Sequence, residues 1–293
     1  MASAPLVWRE EMMDVKQILS FIKIEHTLFS LPFVFIGALM AQEQGFNVTA
    51  IDLVWILIAA IGARGLAMGL NRIIDRNIDA ENPRTAGRHL AAGTMSLNTA
   101  YILCAVFLAM LLLGAWQLNT VALMMAWLPV LAFVIYPYMK RFTWGCHFWL
   151  GLCLALAPAG AWVGITGSEL GWGAITEVSW WYPELLLVSA GVMLWIASFD
   201  LGYALMDMKS DQENGIHSFP ATFGEKRTMQ TMTLLTPIWG GLFFSLGLAS
   251  ILVVAMVLGT IFLASRAHES FQSWWFRCHV ATGWILLLGM QLS

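Results

Sequence analysis

The sequence predicts an all-α, polytopic membrane protein with about nine spans of ~20 residues each. Three observations predict it. Of the 293 residues, 59% are hydrophobic and only 11% are charged, against roughly 25% charged in soluble domains. The apolar residues run in blocks long enough to cross a bilayer, and the mean hydropathy is +0.73. The remaining charges gather at the ends of those blocks and in alternate loops. This composition excludes a soluble enzyme. The lipid bilayer is the expected surrounding, and no nucleic-acid partner is expected.

In chain order the spans fall at about 28–43, 51–74, 97–116, 120–137, 146–166, 184–206, 229–246, 248–264 and 274–291. The first is short. The amphipathic stretch VKQILSFIKIEHTLF leading into it is expected to enter at an angle from the interface. Spans 229–246 and 248–264 follow one another almost without a link. Trp180, Trp181, Tyr182, Trp274 and Trp275 fall near span ends, where aromatic anchors sit at the membrane surface. The opening stretch MASAPLVWREEMMDVKQ has no apolar run behind a basic start, so no signal peptide is expected. Its acidic residues at 10, 11 and 14 also argue against a mitochondrial presequence. Cys104, Cys146, Cys153 and Cys278 form no CxxC pair. They read as small buried side chains, with neither a disulfide nor a structural zinc.

Orientation follows from the basic residues. All but one of the 15 Lys and Arg residues precede the first span or lie in, or within one turn of, the loops after the second, fourth, sixth and eighth. The opposite loops have none. Such a bias places the N-terminus and the basic loops in the cytoplasm, and the expected location is the cytoplasmic membrane of a prokaryote. The exception is Arg64, inside the second span.

Two acidic stretches end spans on this basic side. NRIIDRNIDAENP covers 71–83, and FDLGYALMDMKSDQENG covers 199–215. A single shift, from 75 to 207, aligns Asp75 with Asp207, Asp79 with Asp211, Glu81 with Glu213 and Asn82 with Asn214, and sets Asn71 against Tyr203. The simplest account is a duplicated four-helix unit, with repeat one at about 16–140, repeat two at about 146–264 and a last helix at about 274–291. Residues i and i+4 share a helix face, ~6 Å apart. Asp75 with Asp79, and Asp207 with Asp211, therefore form two carboxylate pairs, and Asp200 lies on the same face one level deeper. Facing repeats bring four carboxylates together. Like charges in a partly dehydrated site do not all stay ionised without cations. Paired hard oxygen ligands suit Mg²⁺, which binds through one or two carboxylates plus substrate phosphates.

Basic residues complete that chemistry. Arg84 and Arg88 follow the first acid pair in NPRTAGR, and Lys140 ends the fourth span. Arginine forks match phosphate oxygens and lysine serves as a point charge, so these residues and the acid pairs describe a diphosphate site. Arg76, Arg141, Lys226 and Arg227 read chiefly as topology signals. Arg64 shares the face of Asn71 and Asp75 but lies deeper, ~10 Å below Asn71. A buried arginine needs an anionic partner, which is either a carboxylate such as Asp200 or an anionic substrate.

The motifs NxxxDxxxD (Asn71, Asp75, Asp79) and YxxxDxxxD (Tyr203, Asp207, Asp211) resemble those of the UbiA superfamily of intramembrane aromatic prenyltransferases. The stretches KIEHTLFSLPF, NPRTAGRHLAAG, YPYMKRFTW and GIHSFPATFG extend the resemblance along most of the chain, towards the 4-hydroxybenzoate polyprenyltransferase-like branch. The resemblance implies nine helices around a central cavity capped by cytoplasmic loops. It implies that Asp75, Asp79, Asp207 and Asp211 bind Mg²⁺ holding an isoprenyl diphosphate, and that Arg84, Arg88 and Lys140 hold the phosphates. It further implies that Arg64, Asn71, Tyr136 and Tyr203 line the reacting pocket, where an aromatic acid is the acceptor. Asp200 and Tyr203 are candidates for tuning that acceptor. The chain departs from the resemblance at RHLAAG, which lacks a proline usual there, at His217, where lysine is frequent, and at Glu25–Thr27. These changes spare the diphosphate site and leave the acceptor open between a hydroxybenzoate-like acid in quinone biosynthesis and haem, homogentisate or a glycerol-phosphate lipid. A secondary transporter is the competing class. Transporters place acids near the bilayer midplane, whereas these lie at cytoplasmic helix ends.

Overall fold

The computed structural model describes residues 15–23, 27–177, 182–247, 249–264 and 268–292. These form helices joined by turns, with no strand among the described residues. Arg9, Glu25, His26, Trp180, Trp181, Arg266 and the acidic residues at 10, 11 and 14 lie outside them.

The chain opens with a short helix, α1 (Val15–Phe21). Phe21 and Ile22 are fully or nearly fully buried among Leu66, Ile73 and Phe107. Arg72 fixes the end of α1, its Nε donating to the Phe21 carbonyl at 2.7 Å. The turn that ends α1 is thus docked on the bundle by a buried arginine.

The long helix α2 (Thr27–Glu43) follows, then α3 (Ala50–Ile74), which starts at a reciprocal cap. Thr49 Oγ1 accepts from the Asp52 amide at 3.3 Å, and Asp52 Oδ2 accepts from the Thr49 amide at 2.9 Å. The chain breaks at Asp75 and resumes as α4 (Arg76–Glu81). After a loop of turns come α5 (Leu97–Leu118), α6 (Thr120–Met125) and α7 (Trp127–Met139). The last two together make the fourth expected span, interrupted at Ala126.

Beyond it lie α8 (Cys146–Leu170), α9 (Gly173–Thr176) and α10 (Pro183–Glu213). Helix α10 runs past the expected end at 206, so the second acid pair sits within a continuous helix. Helix α11 (Phe219–Leu242) begins well before the expected 229 and breaks at Gly224, where φ 81° and ψ 168° suit only glycine. A 3₁₀ turn (Phe243–Leu246), α12 (Ala249–Ala264) and α13 (His268–Leu292) complete the fold.

Among the described residues, five helical segments are long and apolar enough to cross a membrane, and two shorter apolar ones, Thr27–Glu43 and Ala249–Phe262, accompany them. Large apolar side chains such as Trp116, Trp127 and Leu252 remain exposed, as a lipid-facing surface requires. Lipid gives little hydrophobic drive between helices, so close backbone packing through small residues matters more. Gly37 of α2 shows this: a Cβ there would lie 2.2 Å from the Pro158 carbonyl oxygen of α8.

The core is aromatic. Trp162, Trp195, Trp239 and Trp275 are fully buried, and Trp275 donates from its indole to the Phe199 carbonyl at 3.0 Å. Tyr182 stacks on Trp162 with ring centroids 5.0 Å apart. Two of the expected interfacial anchors, Tyr182 and Trp275, are therefore core residues, whereas Trp274 is exposed. A ring near a span end faces the bundle or the lipid according to its helix face, which sequence position alone does not fix.

Candidate active site

The site grows from the break at Asp75. There the chain leaves helical geometry (φ −93°, ψ 4°) while keeping the turn, the Asp79 amide donating to the Asp75 carbonyl at 2.8 Å. The Asp75 side chain is wholly buried. Lys140 Nζ lies 2.7 Å from its Oδ2, Asn71 Nδ2 donates to the same oxygen at 2.9 Å, and Arg141 Nη2 reaches Oδ1 at 3.4 Å. Burial pushes the Asp75 carboxyl above its ordinary range, with Lys140 pulling the other way.

Asp79 and Asp207 are paired in turn. Arg88 Nη1 spans both oxygens of Asp79 at 2.8 and 2.9 Å. Arg84 grips Asp207 with two nitrogens, Nε at 2.7 Å from Oδ1 and Nη2 on Oδ2, and Asn82 Nδ2 donates to Oδ1 at 2.9 Å. Arg84 and Asn82 thereby tie the loop after the first acid pair to the helix carrying the second. Among the described residues no ion pair forms at Asp211, and no three acid, His or Cys side chains gather closely enough to hold a metal. The expected convergence of four carboxylates is corrected accordingly. Asp75, Asp79 and Asp207 face cations of the protein instead, Lys140, Arg88 and Arg84 respectively.

A cavity of about 680 Å³ lies under this mouth. Asp79, Arg84, Arg88, Lys140, Asp207 and Asp211 line its polar end; Arg64, Asn71, Tyr136, Asp200 and Tyr203 line it deeper. Its apolar part reaches Ile56, Leu118 and Ile175. Asn71 and Ile56 are fifteen residues apart on one helix, roughly 22 Å at 1.5 Å per residue. Of the expected site residues, Asp75 alone does not line the cavity; it sits sealed behind Lys140 and Asn71.

Three residues of the site lay outside the sequence-based set. Arg141, marked for topology, also donates to the Ile74 carbonyl at 2.9 Å beside Asp75. Asn82 aligned in the repeat but carried no role. His147 is nearly fully buried at the start of α8, with Nδ1 2.7 Å from Asp200 Oδ2. Its Nε2 accepts the Phe219 amide at 3.1 Å. The only sequence signal for His147 is a histidine in an apolar helix. The neighbouring His217 acts through its backbone, its amide donating to the Lys140 carbonyl at 2.8 Å.

The donor set fits Mg²⁺. All four acids of the motifs offer hard oxygens, none forms a closed protein cage, and phosphate oxygens can complete such a shell. Long apolar walls beneath a mouth of carboxylates and arginines match a substrate that is hydrocarbon at one end and diphosphate at the other. That is the class of membrane-embedded prenyltransferases. Residues 30–282 match the profile of the UbiA prenyltransferase family, and the chain belongs to that family.

A UbiA homologue from Aeropyrum pernix K1 in its apo form is 32% identical, with a TM-score of 0.80 over 92% of this chain and 98% of that one. A UbiA homologue from Archaeoglobus fulgidus, solved with GPP and Mg²⁺, has the same fold at 17% identity and a TM-score of 0.62, over 93% of this chain and 99% of that one. A 4-hydroxybenzoate octaprenyltransferase from Vibrio cholerae is 28% identical over 201 residues, 68% of this chain. The match spans 66% of that relative's length, just under two thirds.

Proposed function

We propose that the protein transfers a polyprenyl group from an isoprenyl diphosphate to an aromatic carbon of a hydroxybenzoate-like acid, with Mg²⁺ as its metal, in quinone (ubiquinone or menaquinone) biosynthesis. One observation carries the reading: a single cavity joins an apolar trough to a mouth where Asp79, Asp207 and Asp211 of the two DxxxD motifs meet Arg84, Arg88 and Lys140. The metal would be held by Asp75, Asp79, Asp207 and Asp211, and when bound it supplies positive charge for the departing diphosphate. Arg84 and Arg88 release their carboxylates and take phosphate oxygens bidentately. Lys140 does the same, which also opens Asp75 to the mouth.

The reacting bonds balance as an aromatic substitution. The allylic C–O bond breaks and its electron pair leaves with the diphosphate. The ring carbon forms the new C–C bond, and the ring proton passes to the departing diphosphate. Apolar walls keep water from the allylic cation. Arg64 holds the acceptor's carboxylate, while Asn71, Tyr136 and Tyr203 line its ring. The Asp200 carboxylate accepts from the acceptor's hydroxyl and so enriches the ring in electrons. The tail lies along the apolar trough towards Leu118. The basic-residue pattern supports a mouth, and an N-terminus, on the cytoplasmic side of a prokaryotic inner membrane.

The test is transfer from labelled geranyl diphosphate by membranes carrying the protein, with Mg²⁺ and a panel of aromatic acids. Prenylated product with a hydroxybenzoate-type acid is expected. Product only with acceptors lacking a carboxylate, or none at all, refutes the reading.

A further inference from the structure

We infer that His147 is a positioning residue for the acceptor: it fixes the Asp200 carboxylate in the cavity wall, and it is itself oriented by the backbone that follows the second acid pair. The inference rests on the proposed prenyl transfer to an aromatic acid.

Hydrogen bonding sets the tautomer. A backbone N–H can only donate, so the Phe219 amide, 3.1 Å from Nε2, makes that nitrogen the acceptor. A neutral imidazole then carries its hydrogen on Nδ1, and Nδ1 faces Asp200 Oδ2 at 2.7 Å. The donor is thus aimed at the carboxylate by a contact on the opposite side of the ring. Both contacts are long-range, bringing α8 to α10 and to the start of α11. The imidazole is nearly fully buried, while the Asp200 side chain keeps 24% of its surface exposed and lines the cavity. A carboxylate held on one oxygen by a buried donor cannot rotate freely, and its other oxygen is left for the substrate.

The anchoring backbone is itself constrained. The His217 amide bonds to the Lys140 carbonyl at 2.8 Å, and Ser218 caps α11 by accepting from the Ala221 amide at 3.4 Å. The segment between the second acid pair and α11 therefore touches both Lys140, the partner of Asp75, and His147, the partner of Asp200. The contact to Lys140 holds the segment independently of His147, so loss of the Phe219 contact alone leaves the diphosphate mouth in place.

Two amide variants separate the two ends of the ring. His147→Asn places a donor near the position of Nδ1 and loses the Phe219 contact. His147→Gln reaches the position of Nε2 and loses the donor to Asp200. Steady-state transfer is measured with geranyl diphosphate, Mg²⁺ and 4-hydroxybenzoate, and diphosphate affinity is measured separately by titration. The expected result is a roughly ten- to hundredfold fall in kcat/KM for 4-hydroxybenzoate in the Gln variant, the range for one charge-assisted hydrogen bond. The Asn variant should fall less, and both should bind geranyl diphosphate within about twofold of wild type. In an Asp200→Asn background, His147→Gln should add little further loss, because its effect passes through Asp200.

Equal or reversed losses in Asn and Gln, a parallel loss of diphosphate affinity, or additive losses with Asp200→Asn would overturn the inference. So would failure of both variants to fold, which assigns His147 to the core alone. Wild-type protein that makes no product fails the prenyl-transfer reading itself and this inference with it, an outcome distinct from active wild type with indifferent variants.

Discussion

Asp75 and Asp211 are both motif aspartates but stand in different surroundings, so replacing each by asparagine should have different consequences for stability. The Asp75 carboxylate is wholly buried against Lys140 at 2.7 Å and Arg141 at 3.4 Å. Removing one partner of a fully buried ion pair costs about 3–5 kcal/mol. Here the cations keep 25% and 34% of their side-chain surface exposed, so water takes up part of their charge and about 2 kcal/mol remains. At about 2–4 °C per kcal/mol for a chain of this size, Asp75→Asn should melt roughly 4–8 °C below wild type. Asp211 has no ion pair among the described residues, so Asp211→Asn should shift melting by no more than about 2 °C. Both should lose prenyl transfer by roughly a hundredfold or more, since each removes a proposed ligand of the metal that would offset the charge of the departing diphosphate. Unfolding in detergent read by intrinsic fluorescence, beside a labelled-product assay, tests both halves. Equal melting temperatures for the two variants would refute the account of Asp75 as a buried counter-ion. Near-normal turnover in either would refute the paired-carboxylate site.

Arg64→Lys keeps the charge but loses the fork, so the KM for an aromatic acid should rise by roughly five- to a hundredfold while that for the diphosphate holds. Equal losses for both substrates with a lowered melting temperature would instead make Arg64 a structural residue. Activity should vanish in EDTA and return with Mg²⁺; persistence in a thoroughly chelated sample would exclude the metal. Gly37→Ala drives a methyl towards the Pro158 carbonyl oxygen, 2.2 Å away without adjustment, and should lower stability by about 1–3 kcal/mol. An unchanged melting curve would show that α2 and α8 do not pack as described.

Much was legible in the sequence because it rests on local rules. Apolar blocks of membrane length, a one-sided distribution of Lys and Arg and an i, i+4 spacing of aspartates depend on residues near one another along the chain. They led to an all-helical membrane protein, to two acid pairs at the ends of spans and to the arginines beside them. The tertiary structure decided what these groups touch. Asp75 withdrew from the cavity because Lys140 and Arg141, more than sixty residues away, close over it. Arg84 joined Asp207 across the two motifs, so that the acids meet through cations rather than directly. Trp275 and Tyr182 turned into the core, because a helix face is assigned only once its neighbours are in place. His147 carried no spacing that marked it, and its meaning came from Asp200 and Phe219, which lie 53 and 72 residues further along the chain. Charge and hydropathy are properties of a segment and can be read from it. A buried hydrogen bond is a property of two segments, and only the folded chain brings them within 3 Å of each other.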